Sequence, residues 1–259
     1  MLLSEFDPRE TAIFNPEMVF QPIEGMPKVA VSCFSFVTFD RMLALFPEAE
    51  LIATMKCASQ RFPVYRVRYR DVELALYMSA VGAPSCVGQQ EELYAMGAEC
   101  LVLFGTCGVL DRNIADCAII LPDAAMRDEG TSYHYAPASD YIDVNKKYIP
   151  ELIEVLKECG YPYVMGTTWT TDAFYRETRG KVAKRKEMGA VCVEMECSAM
   201  QAMCDFRGVE FFQFLYAGDN LDHSTWDPRS LSGTSRLDDK EKIALLAFEL
   251  ACKIEEGKT

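Results

Sequence analysis

The sequence predicts an α/β protein with a mixed or mostly parallel sheet, and three observations predict it. Short apolar runs that read as strands alternate with segments of helical period. No internal repeat, low-complexity segment or linker divides the 259 residues. Half of the residues are apolar and a quarter are charged, so a chain of this length can bury a sizeable core.

Residues 1–27, rich in proline and acids, read as an irregular N-terminal arm, and the body occupies 28–259. KVAVS at Lys28–Ser32 is the first buried strand and VELALYMSAV at Val72–Val81 the next. SCVGQQEELYAMG follows with helical spacing, and CLVLFG at Cys100–Gly105 returns to a fully apolar run. CAIILP from Cys117, YVMGTT from Tyr163 and FFQFLYAG from Phe211 continue the strands. Ser198–Phe206 and Lys240–Glu256 have the helical period.

Composition excludes several classes of partner. A formal charge of −13 repels both a nucleic-acid backbone and an anionic membrane. No apolar run is long enough to span a bilayer. The eleven cysteines are scattered without a C-x-x-C, and MLLSEFDPRE lacks the basic and apolar regions of a signal peptide. Reduced thiols in a cytoplasm are expected. The only histidines, His134 and His223, are far apart, and no cysteine stands at zinc-finger spacing, so no metal site is expected.

In an α/β sheet, ligands collect at the carboxyl ends of strands. Three strand ends here carry unusual chemistry. GTCG at Gly105–Gly108 has the small residues that let backbone N–H groups approach an anion or a sugar hydroxyl, and it equally suits a tight turn after the strand. No G-x-G-x-x-G follows any strand, which argues against a dinucleotide site. VCVEMEC places Glu194 and Glu196 at i and i+2, on one face if the strand persists. Two like charges there repel unless bridged, and a vicinal diol would satisfy one of them while Met195 supplies an apolar sugar-facing surface. Two solvated loop acids are the plainer reading. In YAGDNLD, an apolar strand delivers Asp219 to a loop, where it either caps a turn or serves as a general acid at the mouth of a partly apolar pocket.

GTCG, RDEGTSYHY at Arg127–Tyr135, TTDAFYRET at Thr170–Thr178, VEMEC and AGDN occur in the order found in the nucleoside phosphorylase superfamily. That group holds hexameric purine nucleoside phosphorylases, uridine phosphorylases and related nucleosidases, and the chain resembles it from Lys28 onward. The resemblance implies a single-domain three-layer α/β/α fold with a central mixed, partly barrel-like sheet. It further implies cleavage of a nucleoside's N-glycosidic bond by inorganic phosphate, with no metal or organic cofactor, in a homodimer or a hexamer built as a trimer of dimers. By resemblance Glu196 holds the ribose hydroxyls, Met195 packs on the sugar, Glu194 lines the base or sugar side, and Phe174 stacks on the base. Thr106 and Gly108 belong to the turn that meets phosphate and ribose, and Asp219 stands where purine-specific members protonate N7.

The chain also departs from the family pattern. Phosphorylases of this type carry G-D-P-x-R after the first strand, where this chain has SCFSF at Ser32–Phe36, and an arginine two residues before the G-[ST]-x-G turn, where it has Leu103. Arg61 in SQRFP matches an arginine supplied by a neighbouring subunit. Arg41, Arg127, Arg176 and Arg179 are the candidates to compensate. Otherwise the nucleophile is water, although SCFSFVTF lacks the glutamate of the nucleosidase branch. The glutamine with which uridine-specific members read uracil is missing from YRETRG, and Arg179 matches their arginine only across a gap. Asp219 favours a purine. A nucleoside-binding or storage protein on the same fold, and an unrelated α/β enzyme such as a reductase, are the readings of other classes.

Overall fold

Strand β1, Val29–Cys33, is buried at every position and forms the spine of a computed structural model that describes residues 2–9, 11–231 and 234–257. It is followed by α1 (Phe36–Ala44), β2 (Glu50–Lys56), β3 (Arg61–Tyr69), β4 (Val72–Met78), α2 (Ala83–Ala95) and β5 (Cys100–Val109). The chain continues through β6 (Ile119–Asp128), β7 (Tyr141–Asp143), α3 (Ile149–Glu158), β8 (Tyr163–Thr171), α4 (Arg179–Glu187), β9 (Ala190–Glu194), α5 (Cys197–Arg207), β10 (Glu210–Asn220) and α6 (Leu237–Glu256). Ahead of β1, residues 16–18 form a single 3₁₀ turn, with Phe20 and Ile23 packed on the core.

The sheet is mixed. β1 pairs in parallel with β4 and β5, while β2, β3 and β4 form an antiparallel wing. β5 also pairs with β10 and β9, β10 with β6, β6 with β8, and β8 with β9, so these five strands close a ring. A closed ring is a partial barrel; it removes two sheet edges and has an inside. Cys107, Val109, Ile120, Cys192, Leu215 and Ala217 fill that inside.

Alternation along the strands assigns the layers. Val29, Val31 and Cys33 of β1 and Cys100, Val102 and Phe104 of β5 face the helices α1, α3 and α6. Ala30, Leu101 and Leu103 face α2 and α5 on the other side. The three-layer α/β/α arrangement therefore has two apolar seams. Leu103 is fully buried in the second, where a guanidinium would lie among apolar side chains.

Two expected boundaries move. β4 stops at Met78 rather than Val81, because Gly82 turns the chain at φ +95° and Pro84 occupies the first turn of α2. β5 and β10 run further than the apolar pattern suggests, since each remains paired with the other to Val109 and Asn220. No helix among the described residues is long and apolar enough to cross a membrane, and the eleven cysteines are free thiols.

Candidate active site

The carboxyl ends of β5, β9 and β10 meet at one mouth of the ring, and their glycines explain how closely. A side chain on Gly108 would put its Cβ 2.4 Å from Leu221 Cδ1, 3.1 Å from Asp219 Oδ1 and 3.2 Å from Val193 Cγ1. Only glycine allows the three elements to converge there. In β10 the pairing runs from Ala217 opposite Cys107 directly to Asp219 opposite Gly108, so Gly218 is a bulge. The bulge re-aims the following side chain. Asp219 is thus carried by a strand end and not by a loop as expected, and GTCG is strand and not turn.

These elements enclose a cavity of about 620 Å³. Of the residues singled out by sequence, Thr106, Gly108, Phe174, Glu194, Met195, Asp219 and Arg179 line it. Tyr175, Glu177, His223 and Trp226 line it as well, and the sequence alone did not suggest them. Phe174 and Tyr175 stand with ring centroids 4.2 Å apart, half and largely exposed, and Trp226 faces the same space. One wall is therefore aromatic.

Asp219 is only 8% exposed, and its Oδ2 accepts a hydrogen bond from Trp226 Nε1 at 2.7 Å. Burial raises its proton affinity above the usual carboxylate range, and the indole N–H partly opposes that rise. Burial also raises Glu177, to about 7, with the charge of Asp219 adding to the effect and Lys181 opposing it. Asp219 and Glu177 thus retain protons more readily than free carboxyl groups.

The acid pair Glu194 and Glu196 is not arranged as the alternation implied. β9 ends at Glu194, and Glu196 is the N-cap residue of α5 at φ −137°, ψ −32°. The Glu194 carboxylate accepts from Thr170 Oγ1 at 2.6 Å, Thr168 Oγ1 at 3.3 Å, and the backbone N–H groups of Glu196 and Cys197 at 2.8 and 2.7 Å. It is a buried carboxyl group held at a helix N-terminus, where these four donors favour its ionised form against the opposing effect of burial. Glu196 lies outside the cavity lining, and its Oε1 accepts from Gly82 N at 2.6 Å. Burial raises the proton affinity of both acids, and the adjacent Glu194 raises that of Glu196 further.

The arginines separate clearly. Arg179 lines the cavity and donates to Ser224 O. Arg41 pairs with Asp238 and Glu241, and Arg127 is spent on Ser132 Oγ and the carbonyls of Ala136 and Pro137. Arg176 does not line the cavity, and Arg61 opens β3 on the exposed wing. Phe34, in the segment where the family carries its phosphate-binding motif, packs against Gly105; a Cβ there would be 2.6 Å from its Cδ2.

A family model described as the phosphorylase superfamily matches residues 29–254. A guanosine phosphorylase of Halorubrum lacusprofundi is 24% identical over 170 residues, covering 66% of this chain and 69% of that protein. The uridine phosphorylase of Escherichia coli is 25% identical, covering 60% and 67%. A DeoD-type purine nucleoside phosphorylase of Bacillus cereus is 25% identical, covering 59% and 66%. The matched region thus spans about two thirds of these relatives. Among solved structures, uridine phosphorylase of Vibrio fischeri superposes with a TM-score of 0.75 at 21% identity, covering 90% of this chain and 95% of that one. Purine nucleoside phosphorylase of Toxoplasma gondii in complex with immucillin-H gives 0.76 at 18% identity, covering 93% and 98%. These two share the fold described above.

Proposed function

Because the chain belongs to the phosphorylase superfamily, we propose that it cleaves the N-glycosidic bond of a nucleoside, preferring a purine, with inorganic phosphate as the acceptor. The observation that carries this reading is Asp219, a carboxyl group inclined to hold a proton at the floor of a cavity with an aromatic wall. The base stacks on Phe174, and Asp219 gives or shares a proton with its ring nitrogen as the bond to the sugar lengthens. The sugar then acquires oxocarbenium character, and phosphate attacks the anomeric carbon from the face opposite the base. The protein supplies positioning and fixed charges, and the proposed chemistry needs no metal or organic cofactor.

Met195 lies against the sugar and Thr106 stands between sugar and phosphate. Gly82 N fixes Oε1 of Glu196, which leaves Oε2 as the acceptor for the ribose diol. Glu194 fixes the backbone that carries both Met195 and Glu196. Arg61 reaches a neighbour's site in a homodimer or in a hexamer built as a trimer of dimers. The guanosine and purine nucleoside phosphorylases among the relatives support the purine preference, while the uridine phosphorylase represents the other base class.

One observation favours a second reading. Phe34 and Leu103 stand where phosphate-binding groups were expected, which suits water as the nucleophile. Base release from adenosine, guanosine, inosine, uridine and thymidine, measured at saturating phosphate, tests the base preference. Faster release from the purine nucleosides is expected, and faster release from uridine would reverse the assignment.

A further inference from the structure

The chain has two tryptophans, and each gives its indole N–H to a carboxylate, in opposite surroundings. Trp169 of β8 is fully buried, and its Nε1 donates to Asp128 Oδ2 at 3.0 Å. Trp226 lies between β10 and α6, and its Nε1 donates to Asp219 Oδ2 at 2.7 Å, yet the residue is 62% exposed. An indole left mostly in water forgoes much of the burial that usually decides where a tryptophan lies. Here the bond to Asp219 fixes it.

The backbone around Trp226 is held as well. Asn220 N donates to Asp227 O at 2.9 Å and Asp227 N to Asn220 O at 3.2 Å, so residues 221–226 form a loop closed at its base. Beyond it, Arg229 Nη1 donates to Ile114 O at 2.8 Å and Ser230 Oγ to Asp116 Oδ1 at 2.6 Å, which fastens the outgoing chain to the segment between β5 and β6. Trp226 therefore stands next to the closure point of an anchored loop, and it lines the cavity with Phe174, Tyr175 and Asp219. Phe174 and Tyr175 pack on each other, whereas no other ring among the described residues packs on Trp226. A bare indole face beside a buried carboxyl group suits a flat heteroaromatic ring with a polar edge.

We infer that Trp226 is a positioning residue for Asp219 and, through its ring, a stacking surface for the base of the bound nucleoside. The inference rests on the nucleoside-cleaving reading. With Oδ2 held by the indole, Oδ1 is the oxygen that meets the base, and it lies beside Gly108, whose missing side chain leaves the space. The aromatic surface then comes from two distant segments, the 3₁₀ turn Phe174–Arg176 after β8 and the loop after β10. Because one side chain both touches the base and orients the acid, base and proton donor are placed together.

Trp169 is shut inside the core, so a ligand-dependent change in tryptophan emission reports on Trp226. The test titrates the full-length protein with inosine, uridine and hypoxanthine, and compares the wild type with Trp226→Phe and Trp226→Leu, whose folding is checked by melting curves. Quenching in the wild type that disappears in Trp226→Phe is expected. Steady-state kinetics on the nucleoside cleaved fastest divide the two roles. Trp226→Phe keeps a ring and loses the N–H, so kcat should fall about tenfold with KM within about twofold of wild type. Trp226→Leu loses both, so KM should also rise about tenfold. Absence of quenching by all three compounds in the wild type, a wild-type kcat in Trp226→Phe or a wild-type KM in folded Trp226→Leu overturns the inference, and the first of these needs no variant to fold. Quenching by hypoxanthine that is lost in Trp226→Phe, in a protein that cleaves no nucleoside, overturns the proposed function and leaves the base contact standing.

Discussion

Asp219 concentrates the chemistry at the scale of single residues. A carboxyl group donates a proton only if it holds one, and burial supplies that tendency while Trp226 restrains it. Asp219→Asn should lower kcat by about 10²–10⁴-fold on nucleosides with poor leaving groups, and far less on one whose base departs unprotonated. Equal losses on both kinds of substrate would make Asp219 a structural residue. Trp226→Phe removes a donor that favours the carboxylate, so the alkaline limb of the kcat profile should move to higher pH. A profile displaced downward would contradict this. Asp219, Thr106, Met195 and Phe174 were legible because each follows a recognisable strand. Glu177, His223 and Trp226 were not, since they come from irregular segments whose place no periodicity fixes.

At the scale of elements, the VEMEC segment joins β9 to α5 through one carboxylate. Glu194 gathers four hydrogen bonds, from two side chains of β8 and two backbone groups at the start of the helix. Glu194→Ala would leave these buried donors without an acceptor and should cost about 3 kcal/mol of stability by chemical denaturation. A midpoint within error of wild type would remove the assignment. The sequence pattern suggested two acids on one face because it assumed that the strand continued; the backbone turns at Met195, and a period-2 argument fails at the turn. Strands buried on both faces, such as β1 and β5, are plain in sequence, whereas β2 and β3 form a half-exposed wing rich in charged residues and lack a continuous apolar run.

The whole molecule is set by ring closure, which brings strand ends from distant parts of the chain to one mouth. That closure was legible only through the family resemblance, because it depends on the pairing of β10 with β5 and β6 and not on any local pattern. Titration of the cavity acts on the whole fold. The folded state holds Glu177's proton up to about 7, against 4.5 for an ordinary glutamate. Its stabilising contribution is therefore complete below the lower value and is lost as pH rises through the higher one. Melting temperatures between about pH 5 and 8 should fall more steeply for wild type than for Glu177→Gln, and parallel curves would refute the linkage. Exposed Ile13, Phe14, Met18 and Val19 on the N-terminal segment, with Phe36 and Val81 elsewhere, give the surface apolar area suited to self-association. Sedimentation at micromolar concentration should find at least a dimer, and a fully active monomer would contradict the proposed contribution of Arg61.

The most direct measurement incubates the protein with a purine nucleoside in the presence and absence of inorganic phosphate and follows free base together with the phosphorus resonances. The account predicts base release that requires phosphate, with one ribose 1-phosphate formed for each base. Base released at the same rate without phosphate, accompanied by free ribose, would contradict it.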